Sequence, residues 1–231
     1  MIRLIQGRDR RNFPREIDEM FRLRAHVFRN RRGWDVVVKD GWEIDRFDEL
    51  DPLYLLCLDE HETVRGSVRL LPSTGPNMLN DVFTELLPGG IPVRSALMWE
   101  SSRFSVDHRS LAERTENKIN RVTGELLIGI FDVAARAGLE FIVLVYDVMM
   151  GRVLKRAGCH AEPLGPAVRI GKAMSYAGLF EVGPDMMSSL RVASGIMDDV
   201  TLCGWTVRRF RPVAPLRGNR GRHLRGSVGP R

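Results

Sequence analysis

Residues 111–146 read LAERTENKINRVTGELLIGIFDVAARAGLEFIVLVY, and the fold turns on this stretch. Ile119, Val122, Leu126, Leu127, Ile130, Phe131, Val133 and Ala134 recur at i, i+3, i+4 and i+7. That spacing predicts one long amphipathic helix over Leu111–Ala137, capped by Gly138. Phe141–Tyr146 follows as a short continuous apolar run, the pattern of a buried strand. A long helix feeding a buried strand implies helices laid over a sheet.

Working outward, Tyr54–Leu58 and Val64–Leu71 are strand-like runs around a turn at Asp59–Thr63, and Ala96–Val106 is a third. Met1–Gln6 reads as a first strand, because neither a leader's apolar region nor a small-residue cleavage site follows it. Pro14–Arg29 carries Ile17, Met20, Phe21, Val27 and Phe28 near helical spacing, with Gly33 to end it. Residues 30–51 are charge-rich and aperiodic, a long loop of the kind that often carries function. Pro72–Pro76 breaks the pattern, and Asn80–Leu87 predicts a short helix closed by Pro88–Gly90. Met149–Ala157 reads as a helix, residues 166–183 as two strands and Asp185–Met197 as a helix. The expected fold is α/β: a single-domain, three-layer sandwich with a mixed twisted sheet. It spans residues 1–207, and a basic, disordered tail covers residues 208–231.

Composition bounds the class. A chain of 231 residues, 44% hydrophobic and 28% charged, can bury a full core. No apolar run nears the roughly 20 residues a membrane helix needs. Cys57, Cys159 and Cys203 are scattered through apolar stretches, which suits free thiols in a reducing, cytoplasmic compartment. The histidines form no ligand spacing, so no metal is expected. The net charge of +6 invites a nucleic-acid reading, but Arg208–Arg231 holds eight arginines and no acid. The body is slightly acidic without them, so neither nucleic acid nor membrane is an expected partner. The tail's Pro and Gly content cannot bury enough surface to order it.

Three polar islands stand where the local pattern asks for something blander. The first is Arg24, Phe28 and Trp34 with Asp45 and Asp48. The second is Arg69 within Gly66–Pro76, and the third is Trp99–Phe104. Glu100 and Arg103 lie inside an apolar strand, where an unpaired charge is expensive to bury. Three apart, they face opposite sides of a regular strand unless a bulge or opening near Ser101–Ser102 unites them. Asp45, Asp48, Arg69, Glu100 and Arg103 then form either a cluster lining a cleft or an ion network clamping the loop to the sheet.

These islands, in this order, resemble the signature of the LuxI-type autoinducer synthases, the acyl-homoserine-lactone synthases. Arg24, Phe28, Trp34, Asp45, Asp48, Arg69, Glu100 and Arg103 match the family pattern. The connectors Phe21–Arg24, Arg69–Pro72, Thr74–Pro76, Met78-Leu79 and Asp81–Phe83 are similar too, over roughly residues 1–185. The resemblance implies a fold similar to the GCN5-related N-acetyltransferases. It also implies an acyltransferase that joins an acyl chain, carried by acyl carrier protein, to the amine of S-adenosylmethionine. Closing the lactone then releases methylthioadenosine, and the product is a quorum-sensing signal. S-adenosylmethionine is the substrate and no cofactor is implied.

In that chemistry the ammonium must lose a proton before it attacks, and Glu100 is the candidate base. Backbone N–H groups near Ser101–Arg103 suit the oxyanion. Trp34 and Phe28 suit the sulfonium cation, with Arg24 beside them. Arg103 either holds the substrate carboxylate or pairs within the network. Asp45, Asp48 and Arg69 complete the candidate catalytic set with Glu100 and Arg103, shaping the loop and placing the S-adenosylmethionine rather than carrying protons. Phe104, Leu126, Tyr146 and Met149 are the candidate acyl pocket. Arg152, Lys155 and Arg156 are the candidate carrier-protein contact. Relatives that prefer 3-oxo chains often carry threonine near the end of the strand before this helix. Leu144–Asp147 has none, and Tyr146 falls near that position, so the expected chain is unsubstituted or 3-hydroxylated. The alternative is an N-acyltransferase using acyl-coenzyme A. Its pyrophosphate loop finds only Arg121-Val-Thr-Gly124-Glu-Leu126, which fails at its last position and lies inside a predicted helix.

Overall fold

A computed structural model describes residues 1–107 and 119–201. The expected long helix is α3, Arg121–Arg136. It begins later than its periodicity suggests, because the Asn120 side chain accepts the Thr123 N–H and acts as N-cap. Residues 108–118, the front of the expected helix, lie outside the described residues, as does the tail over residues 208–231. Gly138, at φ 71°, closes the C-terminus of α3.

The strands are β1 (Ile2–Gln6), a short hairpin of β2 (Val38–Lys39) and β3 (Trp42–Glu43), β4 (Leu53–Leu58) and β5 (Val64–Pro72). Then come β6 (Met98–Val106), β7 (Phe141–Asp147), β8 (Glu162–Pro163), β9 (Val168–Ile170) and β10 (Ala173–Glu181). The main sheet runs β1-β4-β5-β6-β7-β10-β8, with β9 also on β10. Every pairing in it is antiparallel except β6–β7, so the sheet is mixed as expected.

Alternation along β4 sets the layers. Leu53, Leu55 and Cys57 face the core under α3, while Tyr54, Leu56 and Leu58 face a second core under α1 (Pro14–Ala25). The short α2 (Met78–Asp81) lies on the α1 side, where Leu79 packs with Met98 and Val143. On the other side α5 (Pro184–Ser194) contacts α3, and α4 (Val148–Arg156) contacts β7 and β10. The result is a three-layer sandwich.

Three local expectations are corrected. The α-helix expected over Pro14–Arg29 stops at Ala25 and widens into a π turn, His26–Arg31, in which the Arg32 N–H reaches back five residues to Val27. The loop expected over residues 30–51 holds the β2–β3 hairpin, whose Asp40 and Gly41 sit at φ 54° and 83°, as a two-residue hairpin turn requires. The helix expected over Asn80–Leu87 starts earlier, at Met78, where Asn77 caps it, and gives way to 3-10 turns at Thr84–Leu86 and Pro88–Gly90.

The sheet meets α3 closely at Gly66. A Cβ there would lie 2.6 Å from Val122 Cγ1 and 2.9 Å from Leu126 Cδ1. Gly66→Ala therefore overpacks the interface and is expected to lower stability by about 1–3 kcal/mol, read from urea unfolding. An unchanged midpoint would contradict this packing.

Candidate functional site

The charges promised by the polar islands converge on the α1 side of the sheet. Arg24, on α1, is 1% exposed and so is not a surface charge. Its two terminal nitrogens grip Asp48 at 2.9 Å each, and its Nε donates to Glu43 Oε2 at 2.6 Å. Arg69, on β5, donates to Asp48 at 2.9 Å, to both oxygens of Asp45 and to the Ser102 hydroxyl at 3.2 Å. Arg103, on β6, reaches Glu43 at 3.0 Å and Asp45 at 2.7 Å. Three guanidinium groups thus face three carboxylates, so the patch is neutral. Such burial is tolerable only with this degree of pairing.

Sequence reasoning missed two members. Glu43 closes the β2–β3 hairpin and joins Arg24 to Arg103. Tyr54, on β4, donates its hydroxyl to Asp48 at 2.9 Å. Glu43 stands two residues before Asp45 in the charge-rich loop, and that was the only signal for it. Tyr54 looked like an ordinary strand residue.

Arg103 reaches this patch because β6 bulges. Ser67 pairs with Ser105 and Arg69 with Ser102, so Arg103 and Phe104 together oppose Val68. The irregularity lies one or two residues past the expected Ser101–Ser102, and Arg103 takes φ 56°, a conformation strained for any side chain with a Cβ. Glu100 does share a face with Arg103, yet among the described residues it joins no ion pair. Its oxygens accept the backbone N–H groups of Met78 (3.1 Å) and Leu79 (2.6 Å) at the start of α2, and Arg103 touches the Met78 sulfur.

The aromatic pair also assembles. The π turn stacks Phe28 on Trp34, with ring centres 5.2 Å apart and planes within 5°. Arg103 lies over Phe28, and Arg32 lies over Trp34 while pairing with Asp147 at 2.7 Å. Trp34 is 41% exposed, leaving an aromatic surface open beside the patch.

The candidate acyl residues are dispersed. Leu126 is wholly buried in the core under α3, Phe104 packs against that core, and Met149 is 61% exposed. Tyr146 stacks on Tyr176 and lines a cavity of about 210 Å³ with Gly151, Leu154, Lys155, Cys159 and Phe180. Burial pushes the Cys159 thiol up to about 12, so it is an inert wall rather than a nucleophile. Arg152, Lys155 and Arg156 are all exposed on α4. Among the described residues no group of His, Cys, Asp and Glu could hold a metal ion, and no helix is long and apolar enough to cross a membrane.

Two of the buried carboxyls, Asp48 and Glu100, are shifted in opposite senses. Burial alone would raise Asp48, but Arg24 and Arg69 outweigh it and hold the carboxyl well below the usual range. Its contribution to stability is complete above the unfolded value of about 4 and is lost as pH falls towards the folded value. For Glu100 burial outweighs the two N–H bonds and the nearby arginines, so its carboxyl is pushed up. The folded chain holds that proton more tightly, and this contribution is lost as pH rises through the folded value. Burial likewise lowers Arg103, against the pull of Glu43 and Asp45.

The chain matches the autoinducer synthase family over residues 10–190. It is 44% identical over 185 residues to an acyl-homoserine-lactone synthase of Rhizobium etli, covering 79% of this chain and 83% of that one. Among solved structures, a CoA-dependent acyl-homoserine lactone synthase, BjaI, with SAM and isopentyl-CoA, is 25% identical with a TM-score of 0.76, covering 87% of this chain and 92% of that one. An N-acetyltransferase structure from Lactobacillus plantarum is 13% identical with a TM-score of 0.51, covering 79% and 99%, a likeness of fold alone.

Arg24→Met leaves Glu43 to Arg103 and Asp48 to Arg69. The expected loss is therefore at the low end for a broken buried pair, about 3 kcal/mol at pH 7, with a weaker dependence on acid below pH about 4. A loss under about 1 kcal/mol by urea unfolding would contradict a network that carries the loop.

Proposed function

The chain belongs to the autoinducer synthase family, and from that premise we propose how its residues divide the work. It is an acyl-homoserine-lactone synthase, an acyltransferase whose substrate is S-adenosylmethionine. The observation that carries the residue assignment is the parting of β6 from β7 beside Glu100. Their pairing runs from Met98–Phe141 to Ser101–Leu144 and stops, although β6 continues to Val106 and β7 to Asp147. Backbone N–H groups of β6 beyond Ser101 are therefore free of β7 and are suited to the thioester oxyanion.

In this reading S-adenosylmethionine lies on the α1 side, its sulfonium against the exposed Trp34, which the buried Phe28 backs. Arg103 takes the substrate carboxylate, trading part of its hold on Glu43 and Asp45. Arg24, Arg69, Asp45 and Asp48 fix the loop that carries the aromatic pair, and act as positioning residues. Glu100, next to the parted strands, takes the ammonium proton, directly or through water. Its raised carboxyl makes it a stronger base than an ordinary glutamate. The amine then attacks the thioester carbonyl and expels the carrier thiol. The carboxylate of the same substrate next displaces methylthioadenosine from its own γ-carbon and closes the ring.

Acyl carrier protein is the proposed donor. The exposed Arg152, Lys155 and Arg156 stand on α4 beside the cavity that Tyr146 lines, and Lys155 lines that cavity itself. This arrangement suits an acidic carrier delivering its chain. Acyl-coenzyme A is the second reading, because a solved relative is CoA-dependent. The proposed compartment is the cytoplasm, in keeping with the buried free thiols Cys57 and Cys159.

Expression in a bacterium that makes no lactones, with mass spectrometry of the extract, tests the reading. The expected product is a lactone without a 3-oxo group, and a chiefly 3-oxo product contradicts the assignment at Tyr146. Glu100→Gln and Trp34→Ala are each expected to cut turnover at least about 100-fold. For the wild type, kcat/KM should fall on acidification through a value above the usual glutamate pKa of about 4.3, because the base must be unprotonated. Near-normal turnover by Glu100→Gln would remove it from the role.

A further inference from the structure

Ser101 is 2% exposed, and its Oγ is the one buried side-chain polar atom among the described residues with no hydrogen-bond partner. The neighbouring serines are treated differently. Ser67 and Ser105 bond each other at 2.8 Å, and Ser102 accepts from Arg69. Ser101 points to the other side of the sheet, towards the core under α3. Its partners across the rungs are Leu70 and Leu144, which with Trp99 belong to that apolar core. An unpaired hydroxyl in such a layer is destabilising, and alanine would avoid the cost. A polar group in this position calls for a ligand.

The position says which ligand. Ser101–Leu144 is the last rung before β6 and β7 part. Glu100, one residue back, faces the α1 side, and Tyr146 and Phe180 line the cavity on the α3 side. Ser101 shares its rung and face with Leu144, two residues before Tyr146, so an acyl chain that runs along this face from a thioester in the opening to the cavity passes Ser101 near its head. We propose that Ser101 is a specificity-determining residue whose Oγ hydrogen-bonds an oxygen at C3 of the acyl chain, making 3-hydroxyacyl donors the preferred substrate class. This rests on the synthase reading above. A C3 hydroxyl both donates and accepts, so it pairs with the serine in either orientation of the serine proton. A donor without that oxygen leaves Oγ unpaired again.

The test compares Ser101→Ala with the wild type in the full-length protein. Matched donors of equal length (unsubstituted, 3-hydroxy and 3-oxo) are presented on acyl carrier protein and on coenzyme A. The expected result is that the wild type prefers the 3-hydroxy donor. In Ser101→Ala the ratio of its kcat/KM to that of the unsubstituted donor should fall about tenfold. The unfolding midpoint should hold or rise, since an unpaired hydroxyl is lost. A ratio that moves less than about twofold, an equal loss on both donors, or an effect confined to the 3-oxo donor overturns the proposal. Absence of lactone from every donor with the wild type defeats the synthase reading instead, so the two failures are distinct.

Discussion

Three arginines and three carboxylates, nearly all removed from water, tie the loop between α1 and β4 to the helix and to the sheet. Arg24 comes from α1, Arg69 from β5, Arg103 from the bulge of β6, and Glu43, Asp45 and Asp48 from the loop between them. Each acid is shared by two bases, so loss of one pair still leaves every carboxylate a partner and no buried charge stands alone. The loop is thereby anchored at Glu43, Asp45 and Asp48, although little of it is regular. The cost of burial is met by complete pairing, and what the chain gains is a rigid frame around an open aromatic face.

That frame works because the sheet is broken where it matters. The bulge at Arg103 and Phe104 lets Glu100, Ser102 and Arg103 share one side. The parallel pairing of β6 with β7 ends at Ser101 and Leu144, so one side of β6 loses its neighbour just past the glutamate. Charge and aromatic surface lie on the α1 side of this parting, where the β6 backbone is no longer paired with β7. Glu100 stands outside the ion network, held by two N–H groups at the start of α2. Its burial without a direct counter-charge distinguishes it from Asp48, whose arginines keep it ionised.

Much of this architecture was legible in the chain. The apolar recurrence from Val122 to Ala134 identified α3, because a helix packed on a sheet needs one continuous stripe. The alternation at Tyr54–Leu58 and Val64–Leu71 located β4 and β5. Boundaries were less legible, since Asn120 ends the pattern by capping, a side-chain choice that periodicity does not register. The Asp40-Gly41 turn was readable as a hairpin signal but sat in a stretch whose charges hid it. Of the site, the charged members were readable as misplaced polar residues. Which partnered which was not, because Glu43 and Tyr54 enter through tertiary contact alone. The acyl side was least legible: cavity walls and core share one composition, and Leu126 proved to be core while Met149 is exposed.

The account places two reactions of one substrate, acylation of its amine and closure of its ring, at a single gap in the sheet. Incubating the purified protein with S-adenosylmethionine and an acyl donor, and quantifying methylthioadenosine and lactone together, tests this most directly. Equal amounts of the two products, both dependent on the donor, are predicted. Methylthioadenosine released without lactone, or an acylated product that still carries the adenosyl group, would contradict it.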